Sequence, residues 1–522
     1  VTLRWFAGMK SRSHTLLRLL FKTIKRNQPM TQVNLSNVII PSVKSFLYES
    51  SDNYDLTQLQ GIFISSQQEI PELADKLNVF IREFAVVTGV QLLLTHQPPS
   101  ELSNYIQINL EGSVTEAFHD EYTISVSAQG ISLSAPTIAG IFYATRTLLQ
   151  FTQRGNGITY GTLHDYAQVR ERGLMLDVAR KYFPVAWIKQ MIDQMAAIKM
   201  NVLQLHLSDN QGFRLETSID KQKYGVSFET PQVLTKSDIA ELIQYARVRC
   251  IDIIPDFDSP GHMDNIISKL KQHDSSKYAG ISASLILNNN LNVKSSLGVQ
   301  IMADIIDDWA ATFAGCRAFH IGGDEYFVTI PEFQRVSHND AVTYLNQRAN
   351  QVVAKGMEAR IWNDEVYRTG GTIQPDKSTV IYYWSSMIGF NNLKLDSYAP
   401  VTTLISNGYN VLNVNQNYLY YSEGNYAPKP QEIYNEWTPM VFAGDSANFN
   451  DQQIVSDLTH VLGALYCIWC DQGDALDNSL VYQQSKLALR AMAEKSWGKG
   501  SDTFDYATFT SLSNTWEPVQ VS

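Results

Sequence analysis

Residues 319–327 read FHIGGDEYF, a short apolar run and two glycines followed by Asp324 and Glu325 side by side. Adjacent carboxylates repel, so ionising both costs free energy and one of the two is pushed toward its protonated form. A carboxyl group that stays protonated near neutral pH can hand its proton to a leaving oxygen, while an ionised neighbour can stabilise positive charge. The pair therefore suits acid catalysis, provided the two side chains project differently and one acid is raised by burial or by its neighbour's charge. An isolated Asp-Glu pair is more often a solvated turn. Here the preceding glycines allow close approach of backbone or ligand.

Further groups of the same kind stand at the ends of other apolar runs. In chain order they are Asp177 with Arg180, His206 with Asp209, and Asp256 with Asp258 and His262. Later come Trp362 with Asp364, Trp384, Tyr418 with Tyr420, and Trp469 with Asp471. Carboxylates surrounded by aromatic rings are the equipment of glycoside hydrolysis. The spacing shows no metal-like His/Cys cluster and no Gly-rich phosphate loop, so neither a metal nor a cofactor is expected.

Elements that could bring these groups together follow from periodicity. Strands are predicted at 172–178, 201–207, 251–258, 317–323, 358–364, 378–384, 408–414 and 463–469, with helices between many of them. One helix opens at Pro184, and others lie near 237–249, 299–314 and 340–356. Apolar runs alternating with helices indicate a parallel sheet buried on both faces. Eight such units fit a (β/α)₈ TIM barrel, whose functional groups come from the C-terminal strand ends. The seventh connection, about 415–460, is long and rich in Tyr and Asn, so an elaborated loop is expected there. Before the barrel, residues 31–165 read as a smaller α/β domain. Its strands are predicted at 61–66, 90–96 and 105–111, with a hairpin across 122–135. Leu73, Leu77, Ile81 and Phe84 mark one helix face, a second helix follows from Ile138 to Phe151, and 154–162 reads as a loop or linker. The division expected is thus a basic extension at 1–30, an α/β domain at 31–165, a barrel at 166–510 and a tail at 511–522.

The net charge of −11 argues against nucleic-acid binding, which needs a basic footprint. No run of about 18 apolar residues suggests a membrane span. The four cysteines are too few for a disulfide framework; Cys467 and Cys470 read as buried thiols on a late strand. Residues 1–30 lack the uninterrupted apolar core of a secretory signal. They read as translation from an upstream start before Met30, or alternatively as a basic amphipathic helix on a membrane surface. A cytoplasmic location is the expectation, with secretion or surface association as the alternative. Oligomeric state is left open.

Taken in order, RGLMLDVARKYFP (172–184), LQLHLSDNQGFRLE (203–216), PDFDSPGH (255–262) and HIGGDE (320–325) resemble the barrel motifs of glycoside hydrolase family 20 β-N-acetylhexosaminidases. GIFYATRTLLQ (140–150) is similar to the helix closing that family's N-terminal, zincin-like α/β domain. The resemblance spans about 31 to 500. It implies exo-acting removal of a terminal N-acetylhexosamine, with the substrate's own acetamido oxygen as nucleophile. Under it, Glu325 is the general acid/base, and Asp324 orients the acetamido group and stabilises charge on its nitrogen. Arg180 grips sugar hydroxyls, for which a guanidinium fork is suited; Asp209 and His262 tune the acid through a hydrogen-bond chain. Trp362, Trp384 and Trp469 box the sugar, Tyr418 donates its hydroxyl to the acetamido oxygen, and Asp471 contacts a sugar hydroxyl. This chain departs from the pattern in Tyr420 where an Asp is usual, Lys181 for a common His, Asn210 for a common second Asp, and Asp471 where Glu is frequent. Those changes bear on substrate preference. Release of a disaccharide, as by the similar lacto-N-biosidases, and silent carbohydrate binding are the competing readings.

Overall fold

Eight parallel strands close on themselves between residues 171 and 469: β1 (Glu171–Asp177), β2 (Val202–Asp209), β3 (Asp252–Phe257), β4 (Ala318–His320), β5 (Glu358–Trp362), β6 (Val380–Tyr383), β7 (Val411–Asn413) and β8 (Val461–Trp469). In this computed structural model β1 pairs with both β2 and β8, which completes the barrel. The described residues run from 38 to 521 apart from 65–70, 115–118, 156, 284–288, 327–335, 391–392, 445–450, 474 and 499–503. The expected extension at 1–30 lies outside them.

Side-chain alternation along the strands separates two cores. On β1 and β2, Leu174, Leu176, Leu203 and Leu205 face outward into the main core shared with the helices. Met175, Ile254, Trp362, Tyr382, Leu412, Leu465, Cys467 and Trp469 fill the lumen. The lumen also carries a polar belt, because register sets Asp177 beside His206, His206 beside Asp256, and Asp256 beside His320. The helices begin where local chemistry caps them. Thr235 and Ser337 form capping boxes with Asp238 and Asp340, opening Lys236–Arg247 and His338–Val353; each box satisfies otherwise orphaned backbone donors. The long connection after β7 carries short helices at Gln416–Leu419 and Pro430–Glu436 and strands at Tyr420–Ser422, Val441–Ala443 and Gln452–Ile454. All four cysteines are free thiols, with Cys467 and Cys470 buried.

The N-terminal α/β domain is a seven-stranded mixed sheet backed by helices Pro71–Thr88 and Ile138–Arg154. One expectation fails here. Most of the supposed loop at 154–162 belongs to strand Gly157–Ala167, paired antiparallel with Ser45–Asp55 and His119–Ser127. Its glycines mimic a turn signal but serve close strand packing: a Cβ on Gly161 would lie 2.5 Å from the Leu47 carbonyl oxygen. The domain is pinned to the barrel by buried Asp165, which accepts hydrogen bonds from Tyr122 (2.6 Å), Lys199 (2.9 Å) and Trp497 (2.9 Å). The segment expected as a tail from 511 continues the helix Tyr506–Asn514, and Arg490, on the helix Asn478–Trp497 that follows β8, holds it by donating to the Trp516 carbonyl. Among the described residues no helix is long and apolar enough to cross a membrane.

Candidate active site

The Asp324–Glu325 pair sits just past the C-terminal end of β4. That strand regularly spans only three residues, after which Gly322 (φ +84°) and Gly323 (φ +101°) turn the chain. A Cβ on Gly322 would stand 2.2 Å from Asp258 Oδ1, so glycine lets the end of β4 close onto the loop after β3. Glu325 itself is left-handed, at φ +48°, a conformation that costs a non-glycine residue about 1–3 kcal/mol and persists only when its surroundings enforce it. Part of that enforcement is a hydrogen bond from its backbone N–H to Asp364 Oδ1 at 2.8 Å.

His262, carried by the loop after β3, links the two acids. Its Nε2 lies 3.5 Å from Asp324 Oδ2 and 3.5 Å from Glu325 Oε2, and its Nδ1 lies 3.4 Å from Asp209 Oδ2. Asp209 Oδ2 in turn lies 2.7 Å from Arg180 and 3.2 Å from His206 Nε2. Arg180 also pairs with Asp177 at 2.8 Å and reaches Asp471 at 3.9 Å. The members of the expected hydrogen-bond chain, Asp209, His262 and Glu325, are thus neighbours in that order with Arg180 at their side, while His262 Nε2 makes no hydrogen bond to either acid. Burial opposes a charge on His262, but Asp324, Asp209 and Asp258 raise its pKa well above the usual histidine value. Burial would raise Asp209, and His262 and Arg180 more than offset it, holding the group well below the carboxyl range.

The expected direction for the acid is reversed. Burial pushes Glu325 up, but the polar contact and charge of His262, with Arg180 beyond, bring it below its ordinary value. Asp324 is the one raised, by burial first and also by Glu325, against the opposing charge of His262. Besides its neighbour in sequence, the fold sets the charges of His262 and Arg180 on Glu325, whose side chain remains 48% exposed.

Aromatic rings form the rest of the pocket wall. Trp362 and Trp469 lie 5.9 Å apart between ring centres in the lumen core. Trp384 packs over them, stacked on Tyr420 at 6.4 Å and 11°. Tyr420 also contacts Trp469 at 5.7 Å, and its hydroxyl feels the charges of Asp324, Asp364 and Glu325. Tyr418, expected in the pocket, is elsewhere: it is buried in the main core and its hydroxyl donates to Glu436 Oε2 at 3.1 Å. The reason is local. Residues 416–419 form a helical turn and Tyr420 starts a strand paired with β8, which puts Tyr420 on the pocket face. Asp471 is at the rim, 44% exposed, accepting from Ser422 Oγ at 2.5 Å. Of the departures, Asn210 lies 3.4 Å from His262 Nδ1, and Lys181 pairs with buried Glu423 at 3.1 Å.

Two buried acids have larger parts than their sequence positions suggest. Asp258 is raised well above the carboxyl range by burial and by the charge of neighbouring Asp324. Asp364 accepts from Trp384 Nε1 (2.7 Å) and Tyr398 (2.7 Å) as well as from Glu325; burial, then Asp324, pushes it up to about 7 against those donors. Both follow the strand-end signal, but their partners come from distant segments. The fold also creates two His/Asp triplets not evident from spacing, His206–Asp209–Asp258 and Asp258–His262–Asp324, whose ligand atoms lie within 4.8 Å of one another. These could hold a metal ion by geometry. Both histidines are raised well above the ordinary value by their carboxylate partners, so a proton competes for the nitrogen that a metal would need.

Comparison with known proteins agrees with this architecture. Residues 170–499 match the model of the glycosyl hydrolase family 20 catalytic domain, and residues 37–166 match that of glycosyl hydrolase family 20 domain 2. A lacto-N-biosidase of Bifidobacterium bifidum is 24% identical over 427 residues, covering 78% of this chain and 35% of the relative. A beta-hexosaminidase subunit beta of Entamoeba histolytica is 27% identical over 344 residues, covering 59% of each. The chain thus spans between about a third and three-fifths of these curated relatives. Among solved structures, an N-acetyl-beta-hexosaminidase of Streptomyces plicatus in complex with Thio-NAglucal superposes with a TM-score of 0.71 at 23% identity, covering 94% of this chain and 96% of that one. The fold is therefore shared along nearly the whole length, and by the two family models the chain belongs to glycosyl hydrolase family 20.

Proposed function

We propose that the protein is an exo-acting, retaining β-N-acetylhexosaminidase that removes terminal GlcNAc or GalNAc from β-glycosides through an oxazoline-type intermediate. The observation that carries this reading is the placement of two carboxylates on one histidine: Asp324 and Glu325 each lie 3.5 Å from His262 Nε2, beside a wall of Trp384, Tyr420 and Trp469. The two oxygens in these contacts, Asp324 Oδ2 and Glu325 Oε2, are then at most 7 Å apart. That placement suits one acid for the leaving oxygen and one carboxylate for the acetamido group.

In this mechanism Glu325 protonates the glycosidic oxygen as its bond to the anomeric carbon breaks. The acetamido carbonyl oxygen attacks that carbon from the opposite face, and Asp324 stabilises the positive charge developing on the amide nitrogen. Tyr420, in place of Tyr418, donates to the acetamido oxygen. Glu325 then takes a proton from water, which attacks the anomeric carbon and reopens the ring. His262, whose carboxylate neighbours favour its protonated form, shares a proton with Glu325 across their 3.5 Å contact, a distance that commonly tightens when substrate arrives. Arg180, already aimed by Asp177 and Asp209, binds sugar hydroxyls.

Disaccharide release is the second reading. It is favoured by the short, exposed Asp471, which stops 3.9 Å from Arg180, and by the likeness to the Bifidobacterium bifidum lacto-N-biosidase. Nitrophenyl β-glycosides of GlcNAc, GalNAc and lacto-N-biose decide between them. Highest kcat/KM on the monosaccharides supports the exo-hexosaminidase; turnover of the disaccharide glycoside alone refutes it in favour of the second reading. No turnover of any of the three refutes both.

A further inference from the structure

Asp364 belongs to a one-turn helix, Asn363–Glu365, directly after β5, and is fully buried. Its carboxylate receives three donors from three parts of the chain. Oδ2 accepts from the Trp384 indole at 2.7 Å; Oδ1 accepts from the Tyr398 hydroxyl at 2.7 Å and from the Glu325 backbone at 2.8 Å. One oxygen thus holds a ring of the sugar-binding wall and the other holds the main chain of the acid. The neighbouring Asn363 reinforces the first tie, its Oδ1 accepting from the Trp384 backbone at 3.0 Å.

We propose that Asp364 is a positioning residue that keeps the acid Glu325 in register with the Trp384 wall, so that leaving group and acetamido group are addressed in one geometry. The proposal rests on the reading of Glu325 as the acid. Two facts make the tie consequential. Glu325 has a left-handed backbone (φ +48°), which must be held by its surroundings. Its side chain is half-exposed, so main-chain anchorage matters more than packing. Three hydrogen bonds converging on one buried side chain fix the direction of each.

The chemistry of the three donors makes a specific test available. In Asp364→Asn the new amide has one acceptor oxygen and one donor group. With its oxygen toward Tyr398 and Glu325, its NH₂ faces the Trp384 indole N–H. Turned round, its NH₂ faces the Glu325 N–H. Either orientation sets donor against donor, so one of the two ties is broken. Adding Trp384→Phe removes the indole N–H, and the first orientation then satisfies both Tyr398 and Glu325.

The experiment measures kcat/KM for aryl β-N-acetylglucosaminides of graded leaving-group ability on wild type, Asp364→Asn, Trp384→Phe and the double variant, with folding checked by thermal unfolding. Asp364→Asn is expected to keep its oxygen on the Trp384 indole and turn its NH₂ to the Tyr398 hydroxyl, which can accept, so that the Glu325 N–H loses its acceptor; the loss is then ~10²-fold on the poorest leaving group, the scale of a catalytic group misplaced by about 1 Å, and less than about 10-fold on the best. The double variant is expected to recover most of the wild-type leaving-group slope while keeping the low affinity of a damaged wall. Trp384→Phe alone leaves the slope unchanged and raises KM. A uniform loss across leaving groups in Asp364→Asn, or a double variant as steep as the single one, overturns the proposal. If Asp364→Asn does not fold, a steepened slope in Trp384→Phe overturns it as well, because the Oδ1 tie to Glu325 is intact there. Glu325→Gln in the same series separates the two readings: a loss that is flat across leaving groups means Glu325 is not the acid, whatever Asp364 does.

Discussion

Replacing Gly322 by alanine tests whether the close approach of the end of β4 to Asp258 is what places the catalytic pair. Gly356, in the turn before β5, provides a matched control. The two glycines have nearly the same backbone, φ +84° and +83°, but different surroundings. A Cβ on Gly356 meets nothing within 4 Å, whereas on Gly322 it would lie 2.2 Å from Asp258 Oδ1, 2.5 Å from Ser259 N and 2.8 Å from Ser259 O. Alanine in the left-handed region costs about 1–2 kcal/mol, and that is the whole cost expected for Gly356→Ala. Gly322→Ala carries the same term plus overpacking of about 1–3 kcal/mol, for a total of about 2–5 kcal/mol. Because real Cβ contacts stay beyond 3.0 Å, the chain must shift by about 0.8 Å, two residues before Asp324. A displacement of that size at the reacting groups costs roughly 10²-fold in turnover. Urea unfolding and hydrolysis of nitrophenyl GlcNAc measure both quantities. Equal destabilisation of the two variants, or normal turnover in Gly322→Ala, would refute the reasoning.

Glu325→Gln should lose ~10²–10⁴-fold, with substrates bearing the best leaving groups suffering least, since they need least protonation. His262→Gln tests the shared proton. The raised pKa of His262 keeps that proton in place as pH rises past the ordinary histidine range, so wild type retains activity there. The variant's basic limb in kcat/KM should move to lower pH, toward the ~4–5 of ordinary carboxyl groups; an unmoved limb would exclude His262 as the sharer of that proton. Tyr420→Phe should lower kcat by ~10²-fold, the scale of a reacting group misplaced by about 1 Å, because the hydroxyl that orients the acetamido oxygen for attack is lost. Tyr418→Phe should turn over almost normally, and the reverse ranking would restore Tyr418 to the pocket.

Much of this site was legible before the fold was known, because strand ends in a parallel barrel point to one mouth. Asp324, Glu325, Arg180, Asp209, His262, Trp384 and Trp469 needed only that rule and their residue types to be gathered. What was not legible depends on contacts between distant segments. Two tyrosines two residues apart could not be told apart until the helical turn at 416–419 and the pairing of Tyr420 with β8 fixed which one faces the pocket. The downward shift of Glu325 is not legible because the sequence shows its neighbour Asp324 and hides His262 and Arg180. Residues 154–162 look like a loop in sequence, although most of them belong to strand Gly157–Ala167, because glycines needed for close strand approach resemble turn residues.

The central claim is that the substrate's acetamido oxygen performs the nucleophilic step while Asp324 and Glu325 assist it. Its most direct test is the rate on nitrophenyl β-glucosaminides whose N-acyl group carries zero, one, two or three fluorine atoms. Each fluorine weakens the carbonyl oxygen as a nucleophile while leaving the glycosidic bond and its leaving group the same. The account predicts that log kcat/KM falls steadily and steeply along the series. A flat response, or a sugar trapped covalently on an enzyme carboxylate, would contradict it.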